Sequence, residues 1–409
     1  MQKFDLKIDN SDVKIKTEQT KKISIGGETK LYLVYQIRLD ALYYNDKNDR
    51  IATWISRYKS ENNNKCLDTL TTAEYNDVIE NFIIESNRTA LEKTKNNIDL
   101  IGQQEPGVIL SDGRIIDGNR RFTCLRLLHK ENINKNNYFE AVILDKDFDS
   151  DEKQIKMLEL AIQHGEDSKV DYNPIDRLVG IYNDIVENKL FTVEEYAQIV
   201  NDTPSSIRKK VELSNLMMEY LDFINAPKQF YIARDQDIDG PLNEIYTALK
   251  KCKTEAEKDY HKQIFFTHLV ARPIPDMTRF IRSVSTDVIN KESETEYLNE
   301  QLPLVEHVAT VLEDAKTGNI KDTISNIRKE TETISAIKQS KEKAVEKSKR
   351  IQIRNKPLEL ISKSLEFLNE IDYGIFGKLD SNQLEEITKC LYDIEDKIEE
   401  IRNNLKDDM

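Results

Sequence analysis

Glycine and proline are scarce in this chain, 12 and 9 among 409 residues, which argues for much helix and few tight turns. Cysteine is scarcer still. Cys66, Cys124, Cys252 and Cys390 are scattered, with no Cys-x-x-Cys pair, so neither a disulfide framework nor a zinc-ligand spacing is present. No run approaches 18 uninterrupted apolar residues, which argues against a membrane-spanning helix. The opening Met1-Gln2-Lys3-Phe4-Asp5 lacks the basic-then-apolar order of a secretory leader, and a cytoplasmic location is the expectation. A positive balance is missing too: 60 Lys and Arg face 74 Asp and Glu, a net −14. Phosphate-rich partners reward positive surfaces, so nucleic-acid contact would need local basic patches that prevail over an acidic whole.

The length suggests two or three domains. Residues 1–60 read as β-rich, with Leu31–Leu39 mixing β-branched, aromatic and leucine side chains. Residues 71–100 read as a helix, because Val78, Ile79, Phe82 and Ile83 recur at three- and four-residue spacing. A strand over 107–110, a turn at Ser111-Asp112-Gly113, a strand over 114–116, a helix opened by Gly118 and a strand over 139–144 follow. This is a small α/β unit ending near residue 150. From about residue 151 the pattern is helical, with helices at 153–163 and after Asn173-Pro174, where proline suits the first turn. Residues 226–300 read as helices joined by loops at Ala226-Pro227, Gly240-Pro241 and Pro273-Ile274-Pro275.

Ile320, Ile324, Ile327, Ile334 and Ile337 begin an amphipathic helix. It runs into a stretch from Lys338 to Lys356 that carries eight Lys and Arg against Glu342 and Glu346. A solvated linker helix is the first reading of that stretch and a DNA contact the second. At the carboxyl end, Leu384, Ile387, Leu391, Ile394, Ile398, Ile401 and Leu405 step by 3 and 4 in strict alternation, a heptad seam. Asp380 and Gln383 form a capping-box start. Leu358, Ile361, Leu365 and Leu368 repeat the spacing upstream, so a helical hairpin is expected, its seam covered by a second subunit slightly ahead of an intrachain partner.

Two segments carry candidate chemistry. In the first, Gly118 gives a tight turn at a helix start, followed at once by Arg120 and Arg121. The positive end of a helix and two guanidinium forks together suit a phosphate. In the second, Thr192 and Glu195 form a capping box, Asn201 suits a left-handed turn, and Ala197, Ile199, Val200, Ile207 and Val211 have the spacing of a shared bihelical core. Thr203, Ser205, Ser206, Arg208, Lys209 and Lys210 would then face DNA from the second helix.

The first segment, Gly102-Gln103-Gln104-Glu105-Pro106-Gly107-Val108-Ile109 followed by Asp112-Gly113 and Gly118-Asn119-Arg120-Arg121-Phe122-Thr123, resembles the ParB family of the ParB/sulfiredoxin fold. In that family a G-[VI]-x-Q-P-[IL]-x-V segment precedes a D-G-…-G-E-R-R-x-R-A box. Asn173-Pro174-Ile175 is similar to the family's L-N-P-I segment, and residues 192–211 match its helix-turn-helix pattern. The likeness spans roughly residues 30–225. Asn119 stands where the family has Glu, Thr123 where it has a third Arg, and Glu105 where it has Gln. The family's E-N-x-x-R segment, which serves Mg²⁺ and triphosphate, falls near Gln163-His164-Gly165-Glu166.

The resemblance implies an α+β ParB/sulfiredoxin-like nucleotide-binding domain at 1–150 and a helix-turn-helix DNA-binding domain at 151–225. A helical domain with the basic linker (226–356) and a helical hairpin or coiled-coil assembly segment (357–409) would complete the chain. It also implies a nucleoside triphosphate, CTP or ATP, with Mg²⁺. The nucleotide would be held by Gln104, Glu105, Pro106, Gly118, Asn119, Arg120, Arg121 and Thr123, with Glu159 or Glu166 nearest to a metal-ligand role. The expected function is nucleotide-responsive DNA binding by a homodimer, in partition or in regulation on a plasmid, phage or other mobile element. Weak CTPase or ATPase activity stays open. The alternatives are an enzyme of the same fold, a small-molecule kinase, NTPase or nuclease with Asp117 as base or metal ligand, and a non-catalytic adaptor.

Overall fold

A computed structural model describes residues 4–8, 10–25, 28–62, 66–133, 137–146, 148, 150–165, 173–314 and 320–407. Five strands form one mixed sheet: β1 (Lys14–Ile25), β2 (Glu28–Arg38), β3 (Gly107–Leu110), β4 (Ile115–Asp117) and β5 (Tyr138–Leu144), in the order β1-β2-β5-β3-β4. β5 lies antiparallel to β2 and parallel to β3, so Val142 stands opposite both Val34 and Val108.

Side chains alternate across a pleated strand, and the sheet buries both faces. Ile109, Phe139 and Ala141 pack on one side with Phe122 and Leu125. Val108, Leu110, Val142 and Leu144 pack on the other with Ile155 and Leu158. The first face is covered by α2 (Thr72–Ser86), α3 (Arg88–Ile101) and α4 (Asn119–Glu131), and α1 (Ala52–Glu61) lies beyond β2 in the chain. The second is covered by α5 (Glu152–Gly165). The expected single helix over 71–100 is two. The Asn87 side chain accepts a bond from the Ala90 N–H, and this N-cap starts a new helix at Arg88.

Beyond the sheet the described chain is helical. α6 (Pro174–Ile181) runs into a π-helical turn, Tyr182–Glu187, and α7 (Val193–Ile199) is followed by α8 (Pro204–Phe223). Asn201 turns the chain between α7 and α8 at φ +52°. Ala197, Val200 and Ile207 are buried together with Tyr196, Phe191 and Leu160, which is the core that the sequence spacing calls for. The second helix starts earlier than its apolar period shows, because Thr203 caps it and Pro204 occupies its first turn.

Next come α9 (Phe230–Asp235), α10 (Asp239–Leu249), α11 (Glu255–Ala271), α12 (Met277–Asp287) and α13 (Glu294–Glu313). Gly240-Pro241 lies inside the first turn of α10 rather than in a loop, where the missing proline N–H leaves no bond unmade. α14 (Ile320–Ile327) and α15 (Thr331–Asn369) divide the stretch expected as one helix, and α16 (Ser381–Asp407) ends the described chain.

The chain splits into two compact units, residues 1–345 and 346–409. In the second, Asp380 and Gln383 exchange side-chain bonds to each other's N–H, 2.9 and 3.1 Å. The α16 seam residues Leu384, Leu391, Ile394, Ile398, Ile401 and Leu405 remain 36–56% exposed. Among the described residues, no helix is long and apolar enough to cross a membrane.

Candidate functional site

The corner between β4 and α4 is shaped by Gly118. Its φ of +102° lies in the left-handed region, and a Cβ there would come within 2.8 Å of Phe139 Cζ and 3.4 Å of Gly107 Cα. Only glycine takes that backbone at little cost while letting α4 start tight against the sheet. No side chain caps α4, so its first N–H groups are without a side-chain acceptor.

Against this corner lies a cleft of about 450 Å³. Its lining includes Gln104, Glu105, Asp117 and Gly118–Arg121, with Asn48, Arg50 and Ile51 from the turn before α1 and Glu159 and Gln163 from α5. Arg121 is structural: it donates to the Glu105 carbonyl (2.6 Å) and to Asp117 Oδ2 (2.8 Å). Lys21 also reaches toward Asp117, at 4.0 Å, and bonds the Pro106 carbonyl at 2.6 Å. Asp117 is therefore the anchor of an ion-pair knot, a poor disposition for a general base.

Arg120 differs. It makes no hydrogen bond or ion pair among the described residues, yet it is half-buried in the cleft wall. Burial first, and then the charge of Arg50, pull it below the usual arginine range. Beside it, Asn119 Oδ1 is buried without a donor. A desolvated cation without a counter-charge is costly, and an anion in the cleft would relieve that cost.

Of Thr123, Pro106 and Gln104, only Gln104 lines the cleft. The Thr123 side chain is fully buried, 2.8 Å from the Tyr44 hydroxyl and bonded to the Asn119 carbonyl, so it belongs to the core. Pro106 is not among the lining residues. The Gln104 amide donates to the Ile101 carbonyl at 2.7 Å, at the end of α3. Glu166 lies outside the described residues.

Sequence reasoning missed a buried polar cluster at the cleft's edge. Lys156 is 2.9 Å from Asp49 Oδ2, 3.8 Å from Glu159 and 3.7 Å from Asp184. Asp49 presses on α6 where Gly180 stands; a Cβ there would meet its carboxylate at 2.7 Å. Burial pushes Glu159 up to about 7 and Asp184 up to about 8, against the pull of Lys156. The three carboxylates in turn hold Lys156 well above its usual value, against the burial that opposes its charge. Glu159 is thus committed to Lys156 and to the Gln163 amide (3.1 Å). Hard Mg²⁺ needs ionised oxygen donors, and this carboxylate does not fit that role. No group of three His, Cys, Asp or Glu among the described residues is placed to hold a metal. The signal in the sequence was faint: Lys156, Glu159 and Gln163 form a polar stripe beside the apolar one of Ile155, Leu158 and Ile162.

On α7 and α8, Thr203, Ser205, Arg208 and Lys209 are exposed, while Ser206 and Lys210 are half-buried. Thr203 Oγ1 accepts from the Ser206 N–H as the cap (3.2 Å). Arg208 pairs with Glu194, and Lys210 with Asp202. Slight burial favours a neutral Asp202, but bonds from Lys210, the Thr203 N–H and Ser206 outweigh it and hold the carboxyl at about 2. Lys209 stands 5.8 Å from the Tyr246 ring. No family model, curated protein or solved structure matches the chain.

Proposed function

We propose that this protein binds a nucleoside polyphosphate in the Gly118–Arg121 cleft and uses α7 and α8 as a helix-turn-helix on double-stranded DNA, in the manner of a divergent ParB-like protein. The observation that carries the reading is Arg120, a half-buried guanidinium with no hydrogen-bond or ion-pair partner among the described residues, in a cleft of about 450 Å³. A polyphosphate tail supplies the missing charge, and the uncapped start of α4 adds N–H donors to it. Support for the DNA half is the buried α7–α8 core and the exposed Thr203, Ser205, Arg208 and Lys209. The half-exposed α16 seam fits assembly with a second copy. The enzyme reading is weaker, since Asp117 is spent on Arg121 and Lys21. Among the described residues, the cleft does not supply a Mg²⁺ ligand set.

The test is a panel of labelled CTP and ATP, with and without duplex DNA. Binding that disappears in Arg120→Ala, with the far-UV spectrum unchanged, is the expected result. Arg120 is a cleaner probe than Arg121, whose removal would also break the Asp117 and Glu105 contacts. Absence of any nucleotide binding ends the reading of the cleft. Absence of a shift with any duplex at low salt ends the DNA reading.

A further inference from the structure

Lys209 lies one helical turn after Ser205 on the same exposed face of α8. Its ammonium stands 5.8 Å from the centroid of the Tyr246 ring in α10, and that of Lys250 stands 4.4 Å from the same centroid. Lys250 is the C-cap residue of α10, four positions after Tyr246. We infer that Tyr246 and Lys250 carry the DNA-facing surface of the helix-turn-helix onto α10, where Lys209 and Lys250 together hold phosphates of one duplex strand. The inference rests on the DNA reading above and adds to it a contact from outside the two-helix unit.

The two lysines are the cations of this surface with least to give up. Arg208 and Lys210 are paired with Glu194 and Asp202. Lys209 and Lys250 are exposed and have no ion pair among the described residues. On α10, Glu244 is bonded to Arg282 at 2.7 Å. On α8, the exposed Glu212 one turn past Lys209 bounds the cationic stretch.

The ring supplies what two loose lysines would lack. Tyr246 is half-buried and packs against the helical core, so it is a fixed platform. The negative face of an aromatic ring attracts a cation, and holding flexible side chains in place beforehand lowers the entropy lost on binding. Because both distances run to one centroid, the two ammonium groups are no more than about 10 Å apart. A strand of B-form DNA passes about three phosphates in that length of axis. Continuity with the exposed Ser205 face favours the duplex over an acidic protein as the source of the negative charge.

The experiment follows duplex binding by the full chain through anisotropy from about 50 to about 200 mM salt, with two duplexes of unrelated sequence. Lys250→Ala should weaken both about threefold to tenfold and lower the slope of log affinity against log salt by about one, the share of one phosphate contact. Lys250→Arg keeps the charge and should retain the wild-type slope. Tyr246→Leu keeps both ammonium groups and removes their platform; binding should weaken about twofold to fivefold with the slope unchanged. An unchanged slope in Lys250→Ala refutes the contact while leaving the helix-turn-helix reading intact, and it is the result expected of a surface made for an acidic protein. A loss confined to one sequence would mark base readout, and a loss shared by Lys250→Arg would mark a structural role; either overturns the inference. Should wild type bind neither duplex, the contact and the DNA reading fail together.

Discussion

Lys156→Met is the most informative single change in the interior. It removes the ammonium that serves Asp49, Glu159 and Asp184, at 2.9, 3.8 and 3.7 Å, and replaces it with an apolar chain of similar length. Breaking a buried ion pair on one side costs about 3–5 kcal/mol, because the partner charge stays behind. Here the carboxyls escape by taking protons. Glu159 and Asp184 are already raised to about 7 and 8. Raised carboxyls bind more protons in the folded state than in the unfolded one, so the contribution of these two to wild-type stability falls as pH climbs from about 4 to about 8. In the variant the ammonium no longer opposes protonation, so Glu159 holds its proton to higher pH than in wild type. Each such proton changes the difference from wild type by about 1.4 kcal/mol per pH unit. A loss of about 3–5 kcal/mol at pH 7.5 should therefore shrink on going to pH 5, where Glu159 and Asp184 carry their protons in wild type and variant alike. Urea unfolding followed by Trp54, the single tryptophan, measures this, since its ring lies 5.1 Å from Arg57 and 5.2 Å from Arg234. Equal losses at pH 5 and pH 7.5, or a loss below about 1 kcal/mol at pH 7.5, would show that the cluster is not the buried charge network described.

Gly118→Ala places a Cβ 2.8 Å from the fully buried Phe139 at a φ of +102°; the combined strain and overpacking should cost about 2–4 kcal/mol in urea unfolding and abolish triphosphate binding. Removing residues 379–409 should lower the oligomeric state seen by light scattering, and an unchanged state would mean that α16 does not join subunits. Glu194→Gln releases Arg208 from its exposed pair; duplex DNA binding should tighten about twofold to fivefold by anisotropy, the scale of one surface pair. Arg208→Ala with Lys209→Ala should weaken that binding and flatten its salt dependence.

The elements that the sequence made legible are those governed by local rules. The β3–turn–β4–α4 run could be read from alternation and from the two glycines, and the boxes Thr192/Glu195 and Asp380/Gln383 from their three-residue spacing. Asn201 takes the left-handed turn for which its short polar side chain suits it. The unread features depend on contacts between segments far apart. Nothing local marks Thr123 as the partner of Tyr44, or Asp49 as the partner of Lys156. Arg121 looks equivalent to Arg120 in the sequence, yet one residue of helical rotation sends the first to Asp117 and leaves the second in the cleft with no partner among the described residues. The break of α2 from α3 was in principle readable, since Asn87 is a natural cap.

The formal charge of −14 also changes meaning once its carriers have positions. Asp49, Glu159, Asp176 and Asp184 are interior, and burial keeps Asp176, Glu159 and Asp184 partly protonated near neutral pH, with values of about 6, 7 and 8. They contribute little to the field a phosphate meets outside. On the α7–α8 surface, by contrast, Arg208 is paired with Glu194 and Lys210 with Asp202, and among the described residues Lys209 has no acidic partner. A duplex must therefore displace Glu194 and Asp202 before it gains two of its three contacts. The exposed Arg208–Glu194 pair is worth about 0–1 kcal/mol, whereas the half-buried Lys210–Asp202 pair is held by further bonds to Asp202 from the Thr203 N–H and Ser206. Among the described residues, no such competitor is bonded to Arg120. Of the two proposed phosphate sites, the cleft is therefore the one where a phosphate at Arg120 would displace no acid of the described residues.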